Sequence, residues 1–97
     1  MNINDLQVKL FKALSHPIRL KIVKKLIENN MCVCELTGDI EFSQSNLSQH
    51  LKILKDAGIL VSRKEGLRVN YEIYNNRIKD IIILSEKIVK ENLGKFL

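Results

Sequence analysis

The residue pattern changes period at Gly58, and that change limits what the chain can become. Before it, Leu47, Leu51 and Leu54 recur every three or four residues and mark the buried stripe of a helix; after it, apolar and polar residues alternate. Ser43 is placed to cap this helix, which the spacing runs from Gln44 to Ala57, and Gly58 ends it just past the last turn. Leu60 to Lys64 and Leu67 to Tyr74 then read as two β-strands joined through Glu65-Gly66, with Gly66 at the position that needs a positive φ. In the second strand Val69, Tyr71 and Ile73 alternate with Arg68, Asn70 and Glu72, which gives one buried face. From Arg77 to about Leu93 helical spacing returns through Ile78, Ile81, Ile82, Leu84, Ser85, Ile88, Val89 and Leu93.

Upstream, Leu6, Leu10 and Leu14 with Phe11 predict an amphipathic helix from Asn4 to Leu14. Ser15-His16-Pro17 breaks it. Proline disfavours helix in the residue before it and suits the first turn of a new one, so a second helix begins near Pro17. Its apolar face is Leu20, Val23 and Ile27, flanked by Ile22 and Leu26, and it ends at Asn29-Asn30. A short third helix follows from about Val33 to Ile40. The expected fold is mainly α with a β-hairpin, in the order α-α-α-α-β-β-α. A short helix, a capped helix and a hairpin in succession are the layout of a winged helix-turn-helix.

At 97 residues the chain fits one domain, residues 1–97, which would hide roughly 65% of its unfolded surface. The longest apolar run, Ile81 to Leu84, is far below the roughly 20 residues of a membrane span, and Met1 to Asp5 shows no secretory signal, so a cytoplasmic protein is expected. Nor is there a Gly-rich phosphate loop or a Ser/His/Asp set, which argues against an enzyme. The first and last helices carry more apolar surface than a core this small can cover. They are expected to pair with a second copy through Leu6, Leu10, Ile78, Ile81, Ile82, Ile88 and Val89, giving a homodimer.

The net charge of +5 is unevenly spread. Six bases and no acid lie between Lys9 and Lys25, four acids and no base between Glu28 and Glu41, and bases predominate again from Lys52 to Arg68. A plain solvated helix would carry Glu and Lys, but the segment from Ser43 to Lys52 offers Ser, Gln and Asn between its leucines. Gln44, Ser45, Ser48 and Gln49, near the helix N-terminus, suit base edges of double-stranded operator DNA. Ser43, Asn46, His50 and Lys52 suit phosphate oxygens, and His50 could equally pack on a neighbouring element. Arg63, Lys64 and Arg68 suit a wing lying along the backbone. An architectural module with the same fold but no sequence preference is the alternative.

The chain resembles the ArsR–SmtB family of winged-helix repressors. The likeness rests on Leu14-Ser15-His16-Pro17-Ile18-Arg19-Leu20, on Cys32-Val33-Cys34-Glu35-Leu36, on Ser43 to Leu60 and on Gly66 to Tyr74, and extends from about Leu6 to Leu93. It implies a homodimeric repressor that leaves operator DNA when an inducer binds.

Cys32 and Cys34 are the only cysteines. In a cytosolic setting such a pair suggests soft-metal or redox chemistry rather than a structural disulfide. Residues two apart on a regular helix point about 200° apart, so joint chelation needs Cys32 outside the helix or a distorted first turn. The resemblance makes the pair a metal site whose inducer is arsenite, antimonite, cadmium or lead; no cofactor is obligatory. Here the chain departs from the family's best-equipped members: arsenite takes three thiolates and cadmium usually four ligands, whereas this chain offers two thiols. Two-coordinate copper(I), redox or persulfide sensing, and a pair that no longer senses stand beside the metal reading.

Overall fold

The computed structural model describes residues 2–39 and 44–96, and within them says nothing of the side chains of Val33, Thr37, Asp39, Gln44, Ser45 and Phe96. The elements are α1 (Ile3–Leu14), α2 (Pro17–Glu28), β1 (Met31–Cys32), α3 (Val33–Asp39), α4 (Gln44–Asp56), β2 (Leu60–Glu65), β3 (Arg68–Ile73) and α5 (Arg77–Phe96). This is a winged helix-turn-helix, with α3 and α4 as the helical pair and β2–β3 as the wing.

Local chemistry sets the boundaries. The Asn2 side chain accepts the Asp5 N–H at 2.9 Å and caps α1. His16 does the same for α2, its Nδ1 accepting the Ile18 N–H at 3.1 Å with Pro17 in the first turn. At the end of α4 the Gly58 N–H reaches the Lys55 carbonyl and the Ile59 N–H reaches Leu54, both at 3.0 Å, while Gly58 takes φ of 80°. That pair of bonds is a Schellman cap, and its left-handed residue is where glycine costs least.

The sheet has a strand that sequence reading did not anticipate. Its order is β1-β3-β2, all antiparallel, with Met31 opposite Tyr71, Cys32 opposite Asn70, and Leu60 through Glu65 opposite Ile73 through Arg68. Two residues are too few to show an alternation, so β1 left no periodic signal. Its presence makes β3 the central strand and changes the expected one-sided burial. Tyr71 and Ile73 do pack on the core, but Asn70 and Glu72 are half-buried as well, and Val69 is not part of the core because the wing extends past the helices. The turn also falls one residue later than expected: Glu65 pairs with Arg68 inside the sheet, and Gly66, at φ of 63°, and Leu67 make the bend.

One core joins Ala13, Ile22, Val23, Leu26, Leu36, Leu47, Leu51, Leu54, Ile59, Leu60, Ile78 and Ile82. On α2 the fully buried sector is Ile22, Val23 and Leu26, with Leu20 and Ile27 only partly covered, because this helix packs against both α4 and the central strand. Ile78 and Ile82 correct the expected dimer surface: they lie one turn apart at the start of α5, face the protomer's own core and are buried there. Leu10 and Ile81 are partly buried against the same core, while Leu6, Ile83, Leu84, Ile88, Val89 and Leu93 remain exposed. The Cα radius of gyration, 14.5 Å, exceeds the about 12.5 Å of a compact chain this long. The excess fits a protomer whose terminal helices are covered on one side only.

Candidate nucleic-acid interface and cysteine pair

Helix α4 turns Leu47, Leu51 and Leu54 inward, and the same rotation exposes Asn46, Ser48 and Gln49 on one outer sector. Ser43 lies outside the described residues; Gln44 and Ser45 open the helix at its positive N-terminal end. Lys52 is exposed and pairs with Asp56 at 3.1 Å, an i,i+4 contact weak enough to exchange for a phosphate. Lys55 Nζ donates to Ser62 Oγ at 2.8 Å and links the end of α4 to the wing.

His50 faces inward. Its ring packs on His16, and its Nδ1 lies 3.3 Å from Arg19 Nη1. Arg19 Nε and Nη2 in turn donate to the carbonyls of Ala13 and Lys12 at 2.7 and 3.3 Å, which satisfies the open end of α1. Desolvation, then the charges of His16 and Arg19, hold the His50 pKa below its ordinary value. These contacts make His50 part of a joint between α1, α2 and α4.

Two of the wing's bases, Arg63 and Arg68, are turned toward acids of the same chain. Arg63 Nε lies 2.6 Å from Glu72 Oε1, and Arg68 Nη2 lies 2.9 Å from Glu35 Oε1. Lys64, opposite Val69, is exposed near the tip.

Arg68 leads to the cysteines. Cys32 sits in β1, outside the helix, and Cys34 is the second residue of α3; their sulfurs are joined in a disulfide, with Cα atoms 5.3 Å apart. Cys32 Sγ accepts the Glu35 N–H at 3.3 Å, while Glu35 Oε1 accepts the Cys32 N–H at 3.3 Å. These reciprocal bonds form a capping box at the head of α3, with sulfur where a Ser or Thr hydroxyl is usual. A Cys-x-x-Glu spacing was the available signal, and sequence reading passed over it. Arg68 Nη2 also donates to Cys32 Sγ at 3.2 Å, tying the turn end of the wing to this cap.

The donor set does not fit a trigonal or tetrahedral soft ion. The two sulfurs are bonded to each other, Glu35 is engaged by Arg68 and by the Cys32 N–H, and among the described residues no group of three or more His, Cys, Asp or Glu side chains gathers.

An exposed polar helix face over a leucine core, beside a two-stranded basic wing, defines a winged-helix DNA-binding regulator. Residues 16–62 match the family model described as bacterial regulatory protein, arsR family. A helix-turn-helix transcriptional regulator of Methanocaldococcus jannaschii is 44% identical over 81 residues, covering 82% of this chain and 91% of the relative. The CadC homolog of Staphylococcus aureus, a cadmium resistance transcriptional regulatory protein, is 41% identical over 75 residues, covering 76% of this chain and 62% of that one. Among solved structures, the homodimeric winged helix-turn-helix DNA-binding domain of a possible ArsR-family regulator from Mycobacterium bovis superposes with a TM-score of 0.87 at 25% identity, over 94% of this chain and 84% of that one. The chain belongs to the arsR family, and it is a transcriptional regulator that binds DNA rather than an enzyme. No helix among the described residues is long and apolar enough to cross a membrane.

Proposed function

We propose that this protein is a homodimeric repressor that reads operator DNA in the cytoplasm and whose hold on DNA changes with the state of Cys32 and Cys34. A single domain serves both reading and dimerisation. The observation that carries the reading is the outer face of α4, where Asn46, Ser48 and Gln49 stand exposed over a closed leucine core, with Gln44 and Ser45 preceding them. Gln makes bidentate bonds to adenine, and serine meets several base edges. Asn46, Lys52, Arg63, Lys64 and Arg68 serve phosphates. Dimerisation is supported by the exposed Leu6, Leu84, Ile88, Val89 and Leu93 and by the homodimeric relative from M. bovis. Fluorescence anisotropy with a duplex from the protein's own promoter against a scrambled one tests the reading. A preference of about a thousandfold at physiological salt is expected, and equal affinity for both duplexes overturns it.

The effector half rests on the disulfide, which makes thiol oxidation the reading the geometry favours. A thiophilic ion such as arsenite, antimonite, cadmium, lead or copper(I) is the second reading, favoured by the cadmium-resistance relative. It requires the pair reduced and, for every ion but two-coordinate copper(I), ligands beyond the two thiols. Titrating reduced protein with cadmium or arsenite while following the ultraviolet thiolate-to-metal band tests it; no band and no change in DNA affinity sinks it.

A further inference from the structure

We infer that the Cys32–Cys34 pair is a thiol–disulfide exchange site for small thiols and disulfides, in which exposed Cys34 is the exchanging sulfur and buried Cys32 the resolving one. The inference deepens the effector half of the proposed function and rests on it only for its consequence at DNA.

Two independent observations separate the sulfurs. Cys32 is 1% exposed, whereas Cys34, two residues on, is exposed on the first turn of α3. Exchange needs the incoming sulfur to approach along the S–S axis, so only Cys34 presents a face to an external thiol. The second observation is where hydrogen bonds go. Cys32 Sγ accepts from the Glu35 backbone N–H and from Arg68 Nη2, so an electron pair arriving on this sulfur meets two donors already in place. A leaving sulfur that is stabilised in this way departs faster.

The steps balance as follows. An external thiolate attacks Cys34 Sγ, the S–S bond breaks, and its electron pair leaves on Cys32 Sγ, which takes up a proton. The mixed disulfide on Cys34 is attacked by a second external thiol, freeing Cys34 as a thiol. Two external thiols become one external disulfide, and the pair gains two electrons and two protons. Oxidation runs in reverse, with a small disulfide as oxidant: Cys34 captures one half and releases the other as a thiol, then Cys32 displaces the second. Each passage changes the sulfur that caps α3, the helix before the recognition helix, and that anchors Arg68 at the wing.

The test uses the full-length reduced protein and oxidised glutathione. Brief treatment with limiting iodoacetamide and peptide mapping should find Cys34 alkylated about tenfold faster than Cys32 in the native protein, with the bias lost in denaturant. With oxidised glutathione, Cys32→Ser should accumulate a stable mixed disulfide on Cys34, and Cys34→Ser should form little on Cys32. The wild type should pass on to the internal disulfide. Equal native alkylation of the two cysteines, or no internal disulfide in the wild type, overturns the inference, and both measurements use wild-type protein. Anisotropy on the oxidised and reduced forms separates the two claims: equal DNA affinity of the two forms sinks the effector half while leaving a proven exchange site in place.

Discussion

His50 of the recognition helix lies against His16 at the head of α2, with ring centroids 4.6 Å apart and planes inclined by 46°. Both rings meet at the joint that Arg19 closes, so a proton added there brings two or three positive charges together. Burial first, then His16 and Arg19, depress the His50 pKa in the folded protein. The unfolded chain therefore binds more protons between the folded value and the ordinary 6.5, and stability rises with pH across that window. Stability is complete above 6.5 and falls as the pH drops through the folded pKa. Thermal melts at pH 7.5, 6.5 and 5.5 should show a falling midpoint, with a smaller fall in His50→Gln. An unchanged pH dependence in that variant would remove His50 from the cause.

Core and surface leucines separate folding from assembly. Leu51 is fully buried, and Leu51→Ala leaves a cavity costing about 2–5 kcal/mol, which urea denaturation reads directly. Ile88 and Val89 are 51% and 57% exposed, so a charge there costs the protomer little. Ile88→Glu is expected to keep the circular dichroism of the fold and shift light scattering from dimer toward monomer. A variant that stays dimeric would show that the exposed part of α5 is not the contact surface.

The wing's ion pairs make an opposite prediction for an acidic residue. Glu72 holds Arg63 at 2.6 Å and also accepts from Asn30 Nδ2 at 3.1 Å. Because Arg63 is mostly exposed, the pair is worth little to stability, and its weight falls on DNA. Glu72→Gln should release the guanidinium to a phosphate, tighten binding to any duplex, and steepen the slope of log K against log salt by about 0.9 for each protomer. A slope equal to that of the wild type would mean that Arg63 does not reach the backbone.

Much of this was legible because local chemistry and tertiary packing agree. Pro17, Gly58 and Gly66 each mark a backbone event that few other residues allow, and the Leu47, Leu51 and Leu54 stripe has one face to bury. The misreadings share another cause. Strand β1 spans two residues and exists only because β3 lies beside it. Ile78 and Ile82 belong to the same helical apolar series as Ile88 and Val89, and only the path of α5 over the core decides which of them are covered. The face of α4 was readable by subtraction, since its leucines are fixed and the remaining sector must face outward. The Cys32 cap was legible only in its Cys-x-x-Glu half, because its other partner, Arg68, comes from a distant strand.

Gln49 offers the sharpest test of what α4 reads. It is exposed, in the second turn, and bears an amide that can both donate to and accept from adenine. Its loss should therefore act on discrimination rather than on general affinity. Gln49→Ala is expected to leave binding to scrambled duplex and its salt slope unchanged. Affinity for the operator should fall by about 1–3 kcal/mol, concentrated at one base pair per half-site. A panel of operators with single substitutions, measured by anisotropy at fixed salt, locates that base pair: the variant should lose its preference there and keep it elsewhere. A uniform loss across the panel, matched on scrambled DNA, would instead assign Gln49 to the phosphate backbone and move base reading to the preceding turn at Gln44 and Ser45.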